Sequence, residues 1–111
     1  MMVLRNARVV PELMEGYEGT HADIVIEDGL IQEIREPKTV SGGEILDMTD
    51  RTVIPGLIDA HLHLDLKGTN VFEENVQPDA YRAMTAMKLA QDNLKMGYTT
   101  IRDLGDRNNI I

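Results

Sequence analysis

Histidines and aspartates alternate with apolar residues in one short stretch of the chain. The odd positions of residues 59–66 are Asp59, His61, His63 and Asp65. The even positions are alanine or leucine. Alternate residues of a β-strand face opposite sides, so a strand here would have one apolar side and one side of carboxylates and imidazoles. Those groups bind divalent metal ions, and the pattern is therefore typical of a metal site.

His61 and His63 are the predicted metal ligands. On a strand their Cα atoms would lie about 6.6 Å apart, twice the rise of roughly 3.3 Å per residue. Both rings could reach one ion at a nitrogen–metal distance of about 2.0–2.1 Å. Asp59 and Asp65 could then accept hydrogen bonds from the imidazoles and orient them. The alternative is a solvent-facing strand on which two histidines fall by chance.

Two histidines do not complete a catalytic zinc site, which commonly has three protein ligands and a water. The remaining histidine, His21, precedes a predicted strand, and we expect it at the surface. The chain has no cysteine, which excludes thiolate ligands, cysteine nucleophiles and disulfides. Further ligands must therefore be carboxylates of this chain or residues outside it.

The composition excludes several kinds of partner. The 111 residues include 11 basic and 19 acidic ones, for a net charge of -8. This balance argues against nucleic acid or an anionic membrane as partner, because both bind clustered lysine and arginine. No apolar run approaches the roughly 20 residues that span a bilayer. The N-terminus lacks the pattern of a signal peptide, so we expect a cytoplasmic protein.

Residues 1–54 are predicted to form short β-strands. Asp28-Gly29 lies between the apolar runs 22–27 and 30–35, which is typical of a hairpin whose turn residues take positive φ. Further short strands are predicted over 2–10, 44–48 and 52–54. Several short strands joined by tight turns indicate a small sandwich or barrel.

After Pro55-Gly56 the pattern changes to strand, helix and strand. The first strand is predicted from 57 to about 66, and a loop follows from 67 to about 77. Apolar residues at near-helical spacing predict a helix over 79–96, with Pro78 in its first turn and Gly97 after its end. A second strand is predicted over 98–104. This order is a βαβ unit, whose strands are parallel.

The βαβ context favours the metal site over chance histidines. A strand that opens such a unit is usually buried on both faces, and unpaired polar groups are costly there. Three weaker candidates remain. Asp103, at the end of the second strand, is either part of the site or a cap of the fold. Met84 and Met87 are expected in the core, and the Glu73-Glu74 pair is expected at a solvated surface, with a role over the site as the alternative.

Residues 53–64, which read Val-Ile-Pro-Gly-Leu-Ile-Asp-Ala-His-Leu-His-Leu, resemble the start of the barrel in the amidohydrolase superfamily. There a Pro-Gly-x-x-Asp-x-His-x-His run lies on the first barrel strand. The preceding β segment is similar to the family's N-terminal half-sandwich, and residues 97–103 resemble its second barrel strand. The pattern is most similar to the branch containing imidazolonepropionase, Xaa-Pro dipeptidases and acyl-amino-acid carboxypeptidases.

The resemblance implies an α/β fold in two parts. Residues 1–54 would be the N-terminal β-sandwich part of a composite domain. Residues 55–111 would be the start of a metal-dependent hydrolase TIM barrel, incomplete because a (β/α)₈ barrel needs about 250 residues. His61 and His63 would bind the more buried metal. The family's other ligands, and its catalytic acid and base, have no counterpart in this chain.

The resemblance further implies hydrolysis of a C–N bond in a small amide, peptide or cyclic amidine-like substrate. The cofactor would be a divalent metal, with zinc as the expected ion and one or two ions in a complete site. We expect the chain to continue in a longer polypeptide or to form a homo-oligomer, because an open barrel fragment exposes apolar surface. The alternatives are a catalytically incompetent truncated fragment and a small β-rich interaction module with incidental histidines.

Overall fold

The computed structural model describes residues 1–68, 70–105 and 108. The chain divides into two compact units, Met1–Pro55 and Gly56–Ile111. The first unit is a mixed β-sheet, and the second is a parallel strand pair with helices between its strands. In the described part of the chain, no helix is long and apolar enough to cross a membrane.

The sheet of the first unit contains four strands, all within described residues. These are β1 (Met2–Arg8), β2 (His21–Glu27), β3 (Leu30–Arg35) and β4 (Glu44–Asp47). Their order is β3-β2-β1-β4, in which β1 and β2 pair antiparallel, β2 and β3 pair antiparallel, and β4 runs parallel to β1. A single turn of 3₁₀ helix at Pro11–Leu13 follows β1.

The predicted strand over 52–54 is wrong. Only Thr52 pairs, through an isolated bridge to Arg8. Arg8 is the last residue of β1, so β1 offers no further residues with which 53 and 54 could pair. Two backbone bonds hold this segment: Arg8 N–H donates to Arg51 O at 2.9 Å, and Val53 N–H donates to Arg8 O at 2.8 Å.

β2 is the most buried strand of the first unit. Its four consecutive residues Ala22–Val25 are buried, so both of its faces are covered. One buried cluster combines Val3, Val25 and Val40, and another combines Val9, Ala22 and Ile24. Among the described residues of the first unit, Asp23 is the one buried charged residue, and it is fully inaccessible to solvent.

The predicted hairpin is present between β2 and β3. Asp28 has a φ of 53° and Gly29 a φ of 78°, so both turn residues are in the left-handed region. Such turns match the right-handed twist of the flanking strands. The Asp-Gly pair therefore sets the register of β3 through local backbone geometry.

Replacing Gly29 with alanine is expected to lower the free energy of unfolding by about 1 kcal/mol, because a Cβ disfavours positive φ. No atom lies within 4 Å of the added Cβ, so the cost is conformational and not a clash. Urea unfolding measures the loss, and Gly29→Asn is the control, since asparagine tolerates this region. Equal stability of the alanine and wild-type proteins would contradict the turn geometry.

The second unit is built on two parallel strands, as predicted. β5 (Leu57–Leu62) pairs with β6 (Tyr98–Asp103). A short helix α1 (Val71–Asn75) and a long helix α2 (Asp79–Lys95) lie between them in the sequence. Gly97, with a φ of 98°, follows the end of α2, as predicted. Pro78, predicted in the first turn, is the N-cap of α2, with a ψ of 146°, and its carbonyl oxygen accepts from Arg82 N at 3.1 Å.

Two sequence predictions in this unit are wrong at their boundaries. β5 ends at Leu62 and not near 66, because the next backbone N–H groups turn away from the strand: Leu64 donates to the side chain of Asp103 and Leu66 donates to His63 O. The predicted loop over 67–77 contains α1, which the side chain of Asn70 caps by accepting from Glu73 N.

The methionines of α2 are exposed, contrary to the prediction that they pack in the core. Met84 and Met87 are 69% and 60% exposed. The buried residues of α2 are Arg82, Thr85 and Ala86. The buried part of α2 therefore consists of these three positions, and Met84 and Met87 lie outside it.

Candidate metal centre

His61 and His63 lie together at the carboxyl end of β5. His61 is the penultimate residue of the strand, and His63 is the first residue after it. Their ring centroids are 5.8 Å apart with an interplanar angle of 76°. Two imidazoles on one ion can have centroids up to roughly 6 Å apart, given metal–nitrogen bonds of about 2.0–2.1 Å. The separation of the two rings lies within that range, and His63 lies just after the strand on which we predicted it.

The imidazole of His63 has a defined tautomer. Its Nδ1 lies 2.8 Å from Gly105 O. A carbonyl oxygen only accepts hydrogen bonds, so Nδ1 must carry the proton. In the neutral ring this leaves the lone pair on Nε2, which is the atom available to a metal.

Asp103 joins the carboxyl ends of the two strands. Its Oδ2 accepts a hydrogen bond from Leu64 N at 2.9 Å, and its Oδ1 accepts one from Gly105 N at 2.8 Å. Leu104 N also donates to Leu62 O at 3.1 Å. Asp103 thus caps the backbone on both sides of the candidate site, which was one of the two roles proposed from the sequence.

Asp59 and Asp65 do not bond the imidazoles, so this part of the prediction is wrong. Oδ1 of Asp59 accepts a hydrogen bond from the backbone N–H of His61 at 3.0 Å. Asp65 is buried and forms an ion pair with Arg82 of α2. The predicted alternation failed because the strand ends at Leu62, and the turn that follows directs Asp65 toward the helix.

Sequence reasoning missed a second polar group in this unit. Lys67 Nζ lies 2.8 Å from the hydroxyl oxygen of Tyr81 and 5.1 Å from the centre of its ring. This hydrogen bond lowers the pKa of Tyr81 and raises that of Lys67. Glu74 accepts from Lys67 N at 2.6 Å, so it is not simply a solvated surface residue. The spacing of these residues in the sequence gave no signal of their contact.

His21 is exposed, as predicted, and belongs to the first unit. Its Nδ1 lies 3.2 Å from Thr20 Oγ1, and it borders an open cleft that also includes Arg8, Pro11 and Asp50. Within residues 1–68, 70–105 and 108, no three histidine or acidic side chains come together as a metal-binding group. His61 and His63 are therefore a pair and not a finished set of ligands.

The sequence profile of the amidohydrolase family matches residues 52–110, which is more than half of the chain. The chain therefore belongs to the amidohydrolase family, and the resemblance inferred from residues 53–64 is confirmed. The family's name indicates hydrolysis of amide bonds, and the family implies a divalent metal.

Curated relatives extend the likeness over both units. A dihydroorotase of Thermoanaerobacter sp. (strain X514) is 32% identical over 107 residues, which cover 96% of this chain and 22% of that enzyme. A dihydroorotase of Trichlorobacter lovleyi is 35% identical over 74 residues, which cover 66% of this chain and 17% of that enzyme. The chain thus spans about a fifth of the length of these relatives.

Solved structures share the fold. A prolidase crystallised with N-methylphosphonate-L-proline superposes with a TM-score of 0.77 at 28% identity, over 94% of this chain and 26% of that one. A Xaa-Pro dipeptidase with methionine bound in its active site superposes with a TM-score of 0.75 at 24% identity, over 95% and 26%. The second likeness, at its lower identity, concerns the fold alone.

Proposed function

We propose that His61 and His63 are the first two ligands of a metal-dependent hydrolase that acts on C–N bonds. The observation that carries this proposal is the pair itself, with rings 5.8 Å apart at the carboxyl end of a parallel strand and Nδ1 of His63 held by a carbonyl. Active sites of parallel α/β barrels gather at that end of the strands. Membership of the amidohydrolase family supports the same reaction class.

A divalent metal at this pair, with zinc as the expected ion, would supply a water of lowered pKa and polarise the scissile carbonyl. His61 and His63 would hold it through ring nitrogens. The Gly105 carbonyl keeps the proton of His63 on Nδ1, so that Nε2 is free to coordinate. We assign no catalytic acid or base to the described residues.

The proposed substrate is a small amide, peptide or cyclic amidine-like molecule. The relatives named above are dihydroorotases, and one structural neighbour, at 28% identity, is a prolidase. These names favour small substrates over nucleic acid, in line with the net charge of -8. They also favour an enzyme over an incompetent fragment or an interaction module with incidental histidines.

For the architecture we propose that residues 1–54 belong to a composite β-sandwich and that residues 55–111 begin a (β/α)₈ barrel. The mixed sheet, the parallel pairing of β5 with β6 and the likeness to the prolidase structure support this. Ile58, on the predicted apolar side of β5, is 70% exposed. We expect further chain or a second copy to cover it, because exposed apolar patches mark contacts.

Metal analysis tests the proposed function directly. The complete product of the gene is purified as wild type and as the His61→Ala, His63→Ala and His21→Ala variants. We expect the His61 and His63 variants to lose bound metal. Their rate of hydrolysis of a panel of Xaa-Pro dipeptides and cyclic amides should fall at least about 100-fold, because loss of a residue that only orients a ligand already costs about 10-fold to 100-fold. His21→Ala is the control and should retain both. Unchanged metal content in the His61 and His63 variants would refute the assignment.

A further inference from the structure

Asp103 is connected to His63 through the backbone of Gly105. The carboxylate accepts from Gly105 N at 2.8 Å, and the carbonyl of the same glycine accepts from His63 Nδ1 at 2.8 Å. The second carboxylate oxygen accepts from Leu64 N at 2.9 Å, one residue after His63. The side chain of Asp103 thus holds the backbone of Leu64, next to His63, and the backbone of Gly105, whose carbonyl accepts the hydrogen bond from the imidazole.

The carbonyl of Gly105 needs such a restraint. Gly105 has a φ of 125°, a conformation open to glycine and strained for other residues. Glycine has no Cβ to restrict its backbone, so the direction of its carbonyl must be set by contacts with other residues. The bond from Gly105 N to Asp103 holds the peptide group that precedes this residue, and the Gly105 oxygen lies against His63 Nδ1.

We propose that Asp103 is a positioning residue for His63: by fixing Leu64 and Gly105, it holds the imidazole in the tautomer that leaves Nε2 free for a metal. The proposal rests on the proposed function, in which His63 is a ligand. Groups that orient ligating histidines are hydrogen-bonded to the nitrogen away from the metal. Here the carbonyl of Gly105 accepts that hydrogen bond, and Asp103 in turn accepts a hydrogen bond from the N–H of the same glycine.

A purely structural cap predicts a different result. A cap at Asp103 contributes to folding but leaves the choice between the Nδ1–H and Nε2–H tautomers unaffected. A positioning residue controls that choice in the folded protein. The tautomer of His63 therefore separates the two roles, and it can be measured without metal.

The experiment is nitrogen-15 NMR of the imidazoles in the metal-free protein at alkaline pH. The signal of His63 is assigned as the one that is lost in His63→Ala. In the wild type we expect His63 as the Nδ1–H tautomer. In Asp103→Ala we expect a mixture with substantial Nε2–H, and zinc affinity reduced about 10-fold to 100-fold, the range for lost orienting groups.

Asp47→Ala is the matched control. Asp47 ends β4 as Asp103 ends β6, and its Oδ1 accepts from Thr49 N at 2.9 Å, two residues on, as Asp103 accepts from Gly105 N. It should alter neither the tautomer of His63 nor zinc affinity. Asp103→Asn keeps one acceptor oxygen and should give a tautomer ratio between those of the wild type and Asp103→Ala. This variant provides the test if Asp103→Ala does not fold.

Two results would overturn the proposal. One is an Nε2–H tautomer of His63 in the wild type, and the other is an unchanged Nδ1–H tautomer in a folded Asp103 variant. Both are read without metal, so they are independent of the proposed function. Zinc binding that survives His61→Ala and His63→Ala would instead refute the proposed function and leave the tautomer result in place.

Discussion

Replacing Asp65 with alanine is expected to lower the free energy of unfolding by about 3–5 kcal/mol, because it leaves a buried guanidinium without its counter-charge. The side chains of Asp65 and Arg82 are 1% and 3% exposed. Arg82 Nη1 also lies 3.4 Å from Asn75 Oδ1. The loss would be a large part of the 5–15 kcal/mol that typically stabilises a domain.

The pair links the turn after His63 to the first turns of α2, a separation of 17 residues. Its loss should therefore loosen the segment that bears the candidate ligand as well as the helix. Urea unfolding of the purified protein measures the effect. The double variant Asp65→Leu/Arg82→Met should recover much of the stability, because removing both charges avoids an unpaired one.

The Lys88–Asp92 pair on the same helix is the matched control. It joins residues one turn apart, and its side chains are 66% and 36% exposed. Exposed pairs of this kind contribute about 0.3–0.5 kcal/mol. Asp92→Ala should thus have almost no effect. A loss of less than about 1 kcal/mol for Asp65→Ala would show that water or another anion compensates Arg82.

The parts of the fold that could be predicted from sequence are those fixed by neighbouring residues. Asp28-Gly29 determines a turn by backbone conformation alone, and the hairpin appears as expected. Helix α2 ends before Gly97 for the same kind of local reason. The parallel pairing of β5 and β6 follows from the order strand, helix, strand. Each of these inferences needs no knowledge of distant contacts.

The parts that could not be predicted depend on residues far apart in the sequence. The end of β5 is set by Asp103, which is 39 residues from the backbone N–H that it binds. Asp65 is directed away from the imidazoles by Arg82. A period-two pattern shows where a strand is possible, but it does not show where a distant carboxylate stops it. His61 and His63 were found by spacing, whereas the contacts that orient His63 were not.

Replacing Asp23 with alanine should also lower the free energy of unfolding by about 3–5 kcal/mol. It leaves one buried and three partly buried N–H groups without acceptors, and a buried one costs about 1–3 kcal/mol. Four backbone N–H groups donate to this fully buried carboxylate. They belong to Asn6, Lys38, Thr39 and Val40, at 2.9–3.0 Å. Asp23 thereby fastens the bulge of β1 to the loop before β4. Asp23→Asn keeps one oxygen and should lose part of the same stability.

The stability that Asp23 contributes should depend on pH. Burial raises the pKa of Asp23, but the four backbone hydrogen bonds favour the carboxylate more strongly and lower it overall. A pKa lower in the folded than in the unfolded state contributes stability in full above the unfolded-state value, about 3.9 for aspartate. The contribution is lost as the pH falls through the lower folded-state pKa.

The difference in free energy of unfolding between wild type and Asp23→Asn should thus be constant from pH 5 to 7 and shrink below about pH 4. Urea unfolding at a series of pH values measures it. Glu33→Gln is the control, because Glu33 pairs with Arg35 on an exposed strand and its replacement should change the free energy of unfolding only slightly. A wild-type advantage that grows as the pH falls below 4 would mean that the folded protein prefers the protonated form of Asp23.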